Sequence, residues 1–212
     1  MAQRNFWTIK DGKVAKGLVD FKWESGMSIT QKRKSCVNLH NTLAEKFKIG
    51  VDKILDISSA STTALGVSLS AFNLILDGKS VECWYQGSKV YEKAGHMKHL
   101  YDVDSMTAKK SMKNTNLGKI IGFRLVDTDY PMEPRTVFYD YIYLKGLIQF
   151  DNRDAILDYE AFTDIQAVTD IDACQARTVC IYKLLHQQNK LSLVENFDAF
   201  KEWHKEHVEV II

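Results

Sequence analysis

The stretch SVECWYQGSK, residues 80–89, combines a helix start with polar residues at helical spacing. Ser80 is a favourable N-cap residue and follows an Asp-Gly turn signal. Successive residues of a helix are rotated by about 100°, so Glu82, Gln86 and Lys89 would project along one narrow stripe. The stretch therefore predicts a helix that presents a carboxylate, an amide and an amine together.

This polar stripe has two interpretations, the solvated face of a surface helix or the floor of an active site. The helix dipole favours Glu82 near an N-terminus, and Trp84 and Tyr91 can bury the remaining surface, so a solvated face explains the spacing without a function. We expect the helix to continue to about Ala94, where Gly95 would end it.

The composition is that of an ordinary folded protein. The chain has 212 residues, of which 45% are apolar and 26% charged, and this suits one globular domain over residues 1–212. The formal net charge of +1 gives no overall attraction to polyanions. Any contact with nucleic acid must therefore depend on local basic patches.

Cysteine usage and hydropathy favour a cytoplasmic protein. The four cysteines contain no CxxC pair and are expected to be reduced thiols. No apolar run reaches the roughly 18–20 residues of a membrane span. The polar N-terminal segment lacks the apolar core of a signal peptide, so we expect no membrane contact.

Local signals predict a mixture of strands and helices. Asp11-Gly12 is a turn signal inside a hairpin predicted over residues 6–23. Ser28 and Gln31 have capping-box spacing and start a helix that ends at Gly50. Further strands are predicted at 54–57, 69–76 and 118–126, and further helices at about 105–114, 133–149, 174–188 and 197–208. The elements do not alternate as in a doubly wound sheet, so we predict a single compact, mostly helical α+β domain with a few short strands.

Three other groups of residues could carry chemistry, and each has a structural alternative. His96 and His99 could hold a metal, but a surface turn explains them without one. Cys174 and Cys180 could be nucleophiles, but thiols in apolar helices also pack in protein cores. The basic run at 32–34 suits either phosphate contact or an exposed helix turn. The motifs of P-loop, dinucleotide-binding and serine-hydrolase enzymes are absent from the sequence.

The order of several segments resembles that of the NADAR family. The segments are LSAFNL (69–74), VECWYQGSK (81–89), TAKK (107–110), GFRL (122–125), FYDYIY (138–143) and CQAR (174–177). The family pattern LSNF, VExxYQAxK and an AK pair is matched by Leu69, Ser70, Phe72, Val81, Glu82, Tyr85, Gln86, Lys89, Ala108 and Lys109. The last two segments are similar to those of the branch found beside DarT-type toxins. The resemblance covers roughly residues 55–185.

This resemblance implies an N-glycosidase that acts on ADP-ribose attached to a nucleobase. The DarT-associated branch is implied to remove ADP-ribose from guanine in DNA, and so to act as the antitoxin of the toxin that attached it. Other members cleave the glycosidic bond of early riboflavin-pathway intermediates. Many members carry an Asp-Trp-Gly segment near the C-terminus, for which Phe162-Thr163-Asp164 is the expected substitute here.

Glycosidic-bond chemistry assigns expected roles to these residues. Glu82 would be the general acid and base. Lys89 is the first candidate for an amine that attacks an opened ribose as a Schiff base, and Lys109 is the second candidate or otherwise a pyrophosphate contact. Gln86 would orient hydroxyls. No metal and no cofactor is expected.

A larger set of residues is predicted to bind the substrate. The set is Ser70, Phe72, Asn73, Trp84, Tyr85, Gln86, Arg124, Arg135, Asp140 and Asp164. Within it, the two arginines would bind phosphate, because guanidinium binds phosphate bidentately. Trp84 or Tyr85 would stack on a base.

Two other function classes remain open. A non-enzymatic antitoxin would sequester the toxin or hold ADP-ribosylated DNA, and a different N-glycosidase would act on a free metabolite. The basic residues within 32–34 and 109–113 favour DNA over a free metabolite. The expected partners are therefore ADP-ribosylated DNA or ADP-ribose, together with a DarT-type toxin.

Overall fold

The computed structural model describes residues 1–26, 28–111, 116–134, 136–167 and 173–211 and has a mixed α+β fold, as the sequence predicts. The α-helices are α1 (Ile29–Phe47), α2 (Ala64–Ser68), α3 (Val81–Ser88), α4 (Ser105–Ser111), α5 (Val137–Gln149), α6 (Gln175–Gln187) and α7 (Phe197–His207). The strands are β1 (Ala2–Lys10), β2 (Lys13–Phe21), β3 (Ile54–Asp56), β4 (Ile75–Leu76), β5 (Lys79–Ser80), β6 (Lys89–Tyr91), β7 (Gly95–His96), β8 (Ile120–Leu125), β9 (Thr128–Tyr130), β10 (Ala161–Thr163) and β11 (Val208–Ile211). Short 3-10 helices cover Val51–Lys53, Lys98–Asp102, Arg153–Asp158 and Leu191–Glu195.

The N-terminal hairpin is formed as predicted. β1 and β2 have 9 residues each and pair antiparallel as far as Lys10 opposite Lys13. The turn has positive φ angles at Asp11 (51°) and Gly12 (71°), two residue types that tolerate this conformation. Turn chemistry in the sequence therefore sets the register of the two longest strands.

The hairpin forms the middle of a five-stranded sheet with the order β11-β2-β1-β10-β3. β1 pairs antiparallel with β10, whereas β10 with β3 and β2 with β11 are parallel pairs. Adjacent residues of β1 face opposite sides, so Phe6 joins the core with α1, and Trp7 joins the core with α5 and α6. The sheet therefore lies between α1 and α6.

Helix α1 begins and ends on local backbone signals. The backbone N–H of Gln31 donates to Oγ of Ser28 at 3.3 Å, which is the predicted cap. The helix ends at Phe47 because Lys48 adopts a left-handed conformation with φ 58°. The end therefore lies slightly before the predicted stop at Gly50.

The predicted strand at 69–76 is wrong. After α2 the chain turns, and only Ile75–Leu76 is extended as β4. The backbone N–H groups of Asn73 and Leu74 both donate to the carbonyl of Ser70 at 2.8 Å, and these bonds fix the turn. Apolar residues of a tight turn also face the core, so their sequence pattern matched that of a buried strand.

The predicted helix from residue 81 to Ala94 is too long. Helix α3 ends at Ser88, and Lys89 begins β6, which pairs with Phe123 of β8 in a second sheet of order β7-β6-β8-β9. The Val-Tyr pair that follows Lys89 favours a strand, and pairing with β8 overrides the helical spacing. Lys89 nevertheless lies directly after α3, next to Gln86.

The remaining predicted helices are confirmed as α4, α5, α6 and α7, and the strands at 54–57 and 118–126 are confirmed as β3 and β8. Helix α4 extends through Ser111, and residues 112–114 of the predicted helix lie outside the described ranges. Within those ranges, no helix has both the length and the apolar character needed to span a bilayer.

Candidate active site

A cavity of about 250 Å³ opens beside the first turn of α3. Its wall is built from the turn after α2, from α3, α4 and α5, and from the segments around β10 and the start of α6. Five predicted site residues line it, namely Ser70, Phe72, Glu82, Lys109 and Asp164. Residues distant in the sequence therefore meet at one concave surface, which is the default place to look for a ligand.

Local backbone contacts fix Glu82 at the cavity wall. The hydroxyl of Ser80 caps α3 by accepting from the backbone N–H of Cys83 at 3.2 Å. The backbone N–H of Glu82 donates to the carbonyl of Ala71 at 2.9 Å. Glu82 is only 5% exposed, and its carboxylate lies in the first helical turn, where the helix dipole favours negative charge.

The polar stripe is a buried hydrogen-bond chain. The amide nitrogen of Gln86 donates to Oε1 of Glu82 at 2.8 Å, and Nζ of Lys89 donates to the amide oxygen of Gln86 at 2.7 Å. All three residues are buried, and the Lys89 ammonium also lies 4.5 Å from the ring centre of Tyr85. The interpretation of the stripe as a solvated helix face is therefore wrong.

Lys109 is the amine that reaches the Glu82 carboxylate directly. Its Nζ lies 3.4 Å from Oε1 of Glu82, and its side chain is 50% exposed, whereas that of Glu82 is 6% exposed. Among the described residues, the wall of the cavity includes Lys109 but not Lys89. The cavity thus joins a buried acid to an amine that solvent and ligand can both reach.

Asp164 also lines the cavity. Its Oδ1 accepts from the backbone N–H groups of Gln166 and Ala167 at 2.9 and 3.1 Å. Burial raises the pKa of the Asp164 carboxyl above its ordinary value, although these donors lower it in part. Burial and the nearby Asp164 charge also raise the pKa of Asp56 to about 7.

Gln175 connects the two sides of the cavity, and the sequence analysis did not select it. Its amide nitrogen donates to Oδ2 of Asp164 at 2.8 Å, and its amide oxygen accepts from the backbone N–H of Ala71 at 2.5 Å. Because the carbonyl of Ala71 accepts from Glu82, Gln175 links the positions of both carboxylates. The residue lies in the CQAR segment, which was the available signal.

Tyr139 is another lining residue that was not predicted from the sequence. It lies in the first turn of α5 and is 3% exposed. Its ring packs edge-on against Tyr85, with 4.9 Å between the ring centres. The FYDYIY segment contains Tyr139, but nothing in the segment distinguishes this tyrosine from its neighbours before the helix is packed.

Besides Gln86 and Asp140, four predicted substrate-binding residues of the described ranges do not line the cavity. The side chain of Asn73 is exposed and donates to the carbonyl of Val67 at 2.8 Å. The indole N–H of Trp84 donates to the carbonyl of Leu76 at 2.7 Å, and Tyr85 packs between Phe123 and Tyr139. Arg124 is 44% exposed and pairs with Asp129 across the β8–β9 hairpin. Arg135 lies outside the described residues.

Asp140 is buried in a separate ion-pair network. Its carboxylate accepts hydrogen bonds from the guanidinium of Arg177 at 3.0 Å and from the hydroxyl of Thr178 at 2.5 Å. It also lies 2.9 Å from Nε2 of His204. Burial raises the pKa of Asp140, but Arg177 and His204 outweigh it, and the net pKa lies below the ordinary value. These contacts are those of a residue that holds α5, α6 and α7 together.

Thiol chemistry is disfavoured at the two cysteines that were considered as nucleophiles. Burial raises the pKa of Cys174 to about 11, and burial also raises the pKa of Cys180 far above its ordinary value. The thiolate is the reactive form of cysteine, so both side chains have the character of packing residues.

The described residues contain one group with the spacing of metal ligands, and it differs from the predicted histidine pair. The ligand atoms of Cys36, His40 and Asp56 lie within 4.8 Å of one another in the core beneath α1. Hydrogen bonds already engage them, since Nε2 of His40 lies 3.0 Å from the hydroxyl of Thr163, which in turn donates to Asp56 at 3.1 Å. The set is therefore satisfied without a metal.

The fold and the site together define an α+β protein with a buried acid and an amine at the wall of one cavity. The chain belongs to the NADAR-DarT1 family, since residues 2–210 match the model of that family, described as DarT1-associated NADAR antitoxin. This match confirms the resemblance and extends it to almost the whole chain. No curated protein matches the chain.

Proposed function

We propose that the chain is an N-glycosidase that releases ADP-ribose from guanine bases in DNA and thereby acts as the antitoxin of a DarT-type toxin. Membership of a DarT1-associated antitoxin family supports the biological role. The observation that carries the chemistry is the pair formed by Glu82 and Lys109, 3.4 Å apart at the cavity wall. A buried carboxylate beside a reachable amine supplies both groups that the reaction requires.

Glu82 acts as the proton donor for the leaving base. Cleavage of a bond between an anomeric carbon and a nitrogen leaves electrons on the nitrogen, which must be protonated to depart. The Glu82 carboxylate can first take a proton from the Lys109 ammonium and then pass it to the leaving nitrogen. The same carboxylate can later accept a proton from the water that completes hydrolysis.

Lys109 is the better candidate for the nucleophile, ahead of Lys89. Once Lys109 has given its proton to Glu82, its neutral amine can attack the anomeric carbon while the base departs. Ring opening then gives a Schiff base between Nζ and the ribose, and water hydrolyses it to free ADP-ribose and the amine. Lys89 instead donates to Gln86, which holds the Glu82 carboxylate in place.

This order reverses the expectation from the sequence, and the reason is geometric. The sequence placed Lys89 on the helical stripe of Glu82, but the Gln86 amide lies between them in the structure. Lys109 comes from another helix, and only the packing of α4 against α3 brings it to the carboxylate.

The test is a direct assay of the purified protein on DNA that carries ADP-ribosylated guanine. We expect free ADP-ribose and unmodified DNA as products, both identified by mass spectrometry. Binding of the modified DNA without release of ADP-ribose would support a sequestering antitoxin instead. Release from a free N-ribosylated metabolite, with none from DNA, would support the metabolic alternative.

A test in cells separates catalysis from sequestration. Bacteria that express a DarT-type toxin should be protected by the wild-type protein but not by Glu82→Gln. A sequestering antitoxin should retain protection after this substitution, because it removes one charge inside a cavity and leaves the outer surface unchanged. Immunoblots that show equal protein levels are the necessary control.

A further inference from the structure

Two hydroxyl groups at the cavity have no partner among the described residues. The hydroxyl of Ser70 is buried and makes no hydrogen bond within the described ranges. Tyr139 lines the same cavity and is 3% exposed, and its hydroxyl makes no hydrogen bond to a described residue either. Buried polar groups are nearly always paired, so two unpaired hydroxyls at one cavity indicate that a ligand supplies their partners.

The surroundings of Tyr139 restrict what it can bind. Burial raises the pKa of Tyr139 well above its ordinary value. The charges of nearby groups, which include the carboxylates of Glu82 and Asp164, raise this pKa further but by less. The phenol therefore stays protonated and can donate a hydrogen bond over the whole physiological pH range. The edge-on contact with Tyr85 holds the ring in place, so the donor has a fixed position.

Asp164, which lines the same cavity, offers the complementary acceptor. Among the described residues, three donors occupy its oxygens, two backbone N–H groups and the amide of Gln175. A carboxylate has about four acceptor positions, so one remains for a ligand. A sugar hydroxyl both donates and accepts, and it can therefore join the Tyr139 donor to the Asp164 acceptor.

We propose that Tyr139 and Ser70 contact the hydroxyl groups of a ribose held between Glu82 and Asp164, so that the site selects ribose over deoxyribose. This inference rests on the proposed function and deepens it, because it names the part of ADP-ribose that the cavity recognises. It also explains how an enzyme that works on DNA avoids the deoxyribose of the DNA itself. A site built to bond a substrate hydroxyl discriminates strongly against an analogue that lacks it.

The test measures the binding of free ADP-ribose and of its 2-deoxy and 3-deoxy forms, altered in the ribose that carries the free anomeric carbon, by calorimetry. The variants are Tyr139→Phe, which keeps the ring, and Ser70→Ala. Tyr141→Phe is the matched control, since it removes a hydroxyl from the same helix at a position that does not line the cavity. Thermal unfolding of each variant checks the fold.

The expected results form a cycle of protein and ligand changes. Wild-type protein should bind at least one deoxy analogue about 10-fold more weakly than ADP-ribose, and Tyr139→Phe should bind ADP-ribose about 10-fold more weakly than the control does. When Tyr139→Phe is tested with the analogue that lacks the contacted hydroxyl, the affinity should be no lower than with either change alone. Ser70→Ala should give the same pattern of affinities with the analogue that lacks the ribose hydroxyl contacted by Ser70.

Wild-type affinity of Tyr139→Phe and Ser70→Ala for ADP-ribose, or reductions that multiply for both analogues, would overturn the inference. If the wild type nevertheless released ADP-ribose from modified DNA, the proposed function would stand and only the inference about ribose recognition would fail. If the wild type neither bound nor released ADP-ribose, both proposals would fail together.

Discussion

Asp140 and Glu82 are both buried carboxylates, but their surroundings differ in kind. Asp140 is 0% exposed and meets the guanidinium of Arg177, the hydroxyl of Thr178 and the imidazole of His204. Glu82 meets one amide and one half-exposed amine at the edge of a cavity. One carboxylate is enclosed by protein partners, and the other keeps a side open to a ligand.

This difference separates the polar groups that hold the fold together from those that we propose to be functional. A fully bonded ion pair in the core fixes helix positions and has nothing left to offer a substrate. The cavity wall instead contains the Ser70 hydroxyl, which is buried without a partner in the described residues, and Tyr139, whose hydroxyl bonds to no described residue. Burial and charge alone, which both regions share, do not identify the site.

The largest expected effect on folding is at the enclosed carboxylate. Asp140→Asn leaves the buried Arg177 guanidinium without its counter-charge and should lower the free energy of unfolding by about 3–5 kcal/mol. Urea denaturation measures this change. The rate of ADP-ribose release per folded molecule should stay close to that of the wild type. An unchanged unfolding midpoint would show that the Asp140 ion pair does not stabilise the fold.

The next effect is on the chemistry of the open region. Lys109→Met should lower the rate of ADP-ribose release about 100-fold and abolish the covalent adduct that borohydride traps during turnover. Lys110→Met removes the same charge from an exposed position of the same helix and should retain the adduct. If peptide mapping placed the wild-type adduct on Lys89, Lys89 would be the better candidate for the nucleophile.

A smaller effect is expected at the basic run of α1. Replacement of Lys32, Arg33 and Lys34 by glutamine should weaken binding of modified DNA at low salt. The slope of log affinity against log salt should fall by about one for each phosphate that the variant no longer neutralises. Affinity for free ADP-ribose should not change. Titrations at several salt concentrations give both quantities, and identical slopes would show that α1 does not touch the DNA.

The smallest effect is expected from thiol modification. Because the pKa of Cys174 is raised to about 11, very little thiolate exists near neutral pH. Iodoacetamide at pH 7.5 should therefore leave both activity and the Cys174 thiol intact in the native protein, whereas it should modify the thiol in urea. Rapid alkylation with loss of activity would place a reactive thiol in the mechanism.

The sequence predicts those parts of the fold that depend on local signals. The Asp11-Gly12 turn and the Ser28 and Ser80 caps are all present, because each depends on neighbouring residues alone. The end of α3 was wrong because Lys89 pairs with Phe123, which is distant in the sequence. Pairing between strands competes with helical spacing, and local spacing does not reveal the outcome.

The same reasoning explains the success and the gaps at the site. Glu82 and Gln86 were predictable because they share one helix, and their hydrogen bond follows from that spacing. Tyr139 and Gln175 reach the cavity only through the packing of α5 and α6, so the FYDYIY and CQAR segments that contain them do not reveal this position. Lys109 was placed second for the same reason, since its approach to Glu82 depends on the position of α4.

The most direct measurement of the central claim is the single-turnover release of ADP-ribose by Glu82→Gln. The side chain keeps its shape and can still accept from Gln86, so the fold and the affinity for modified DNA should persist. The rate should fall by about 10³-fold, while Glu92→Gln, at an exposed position, should match the wild type. Release by Glu82→Gln within a few-fold of the wild-type rate would contradict the account.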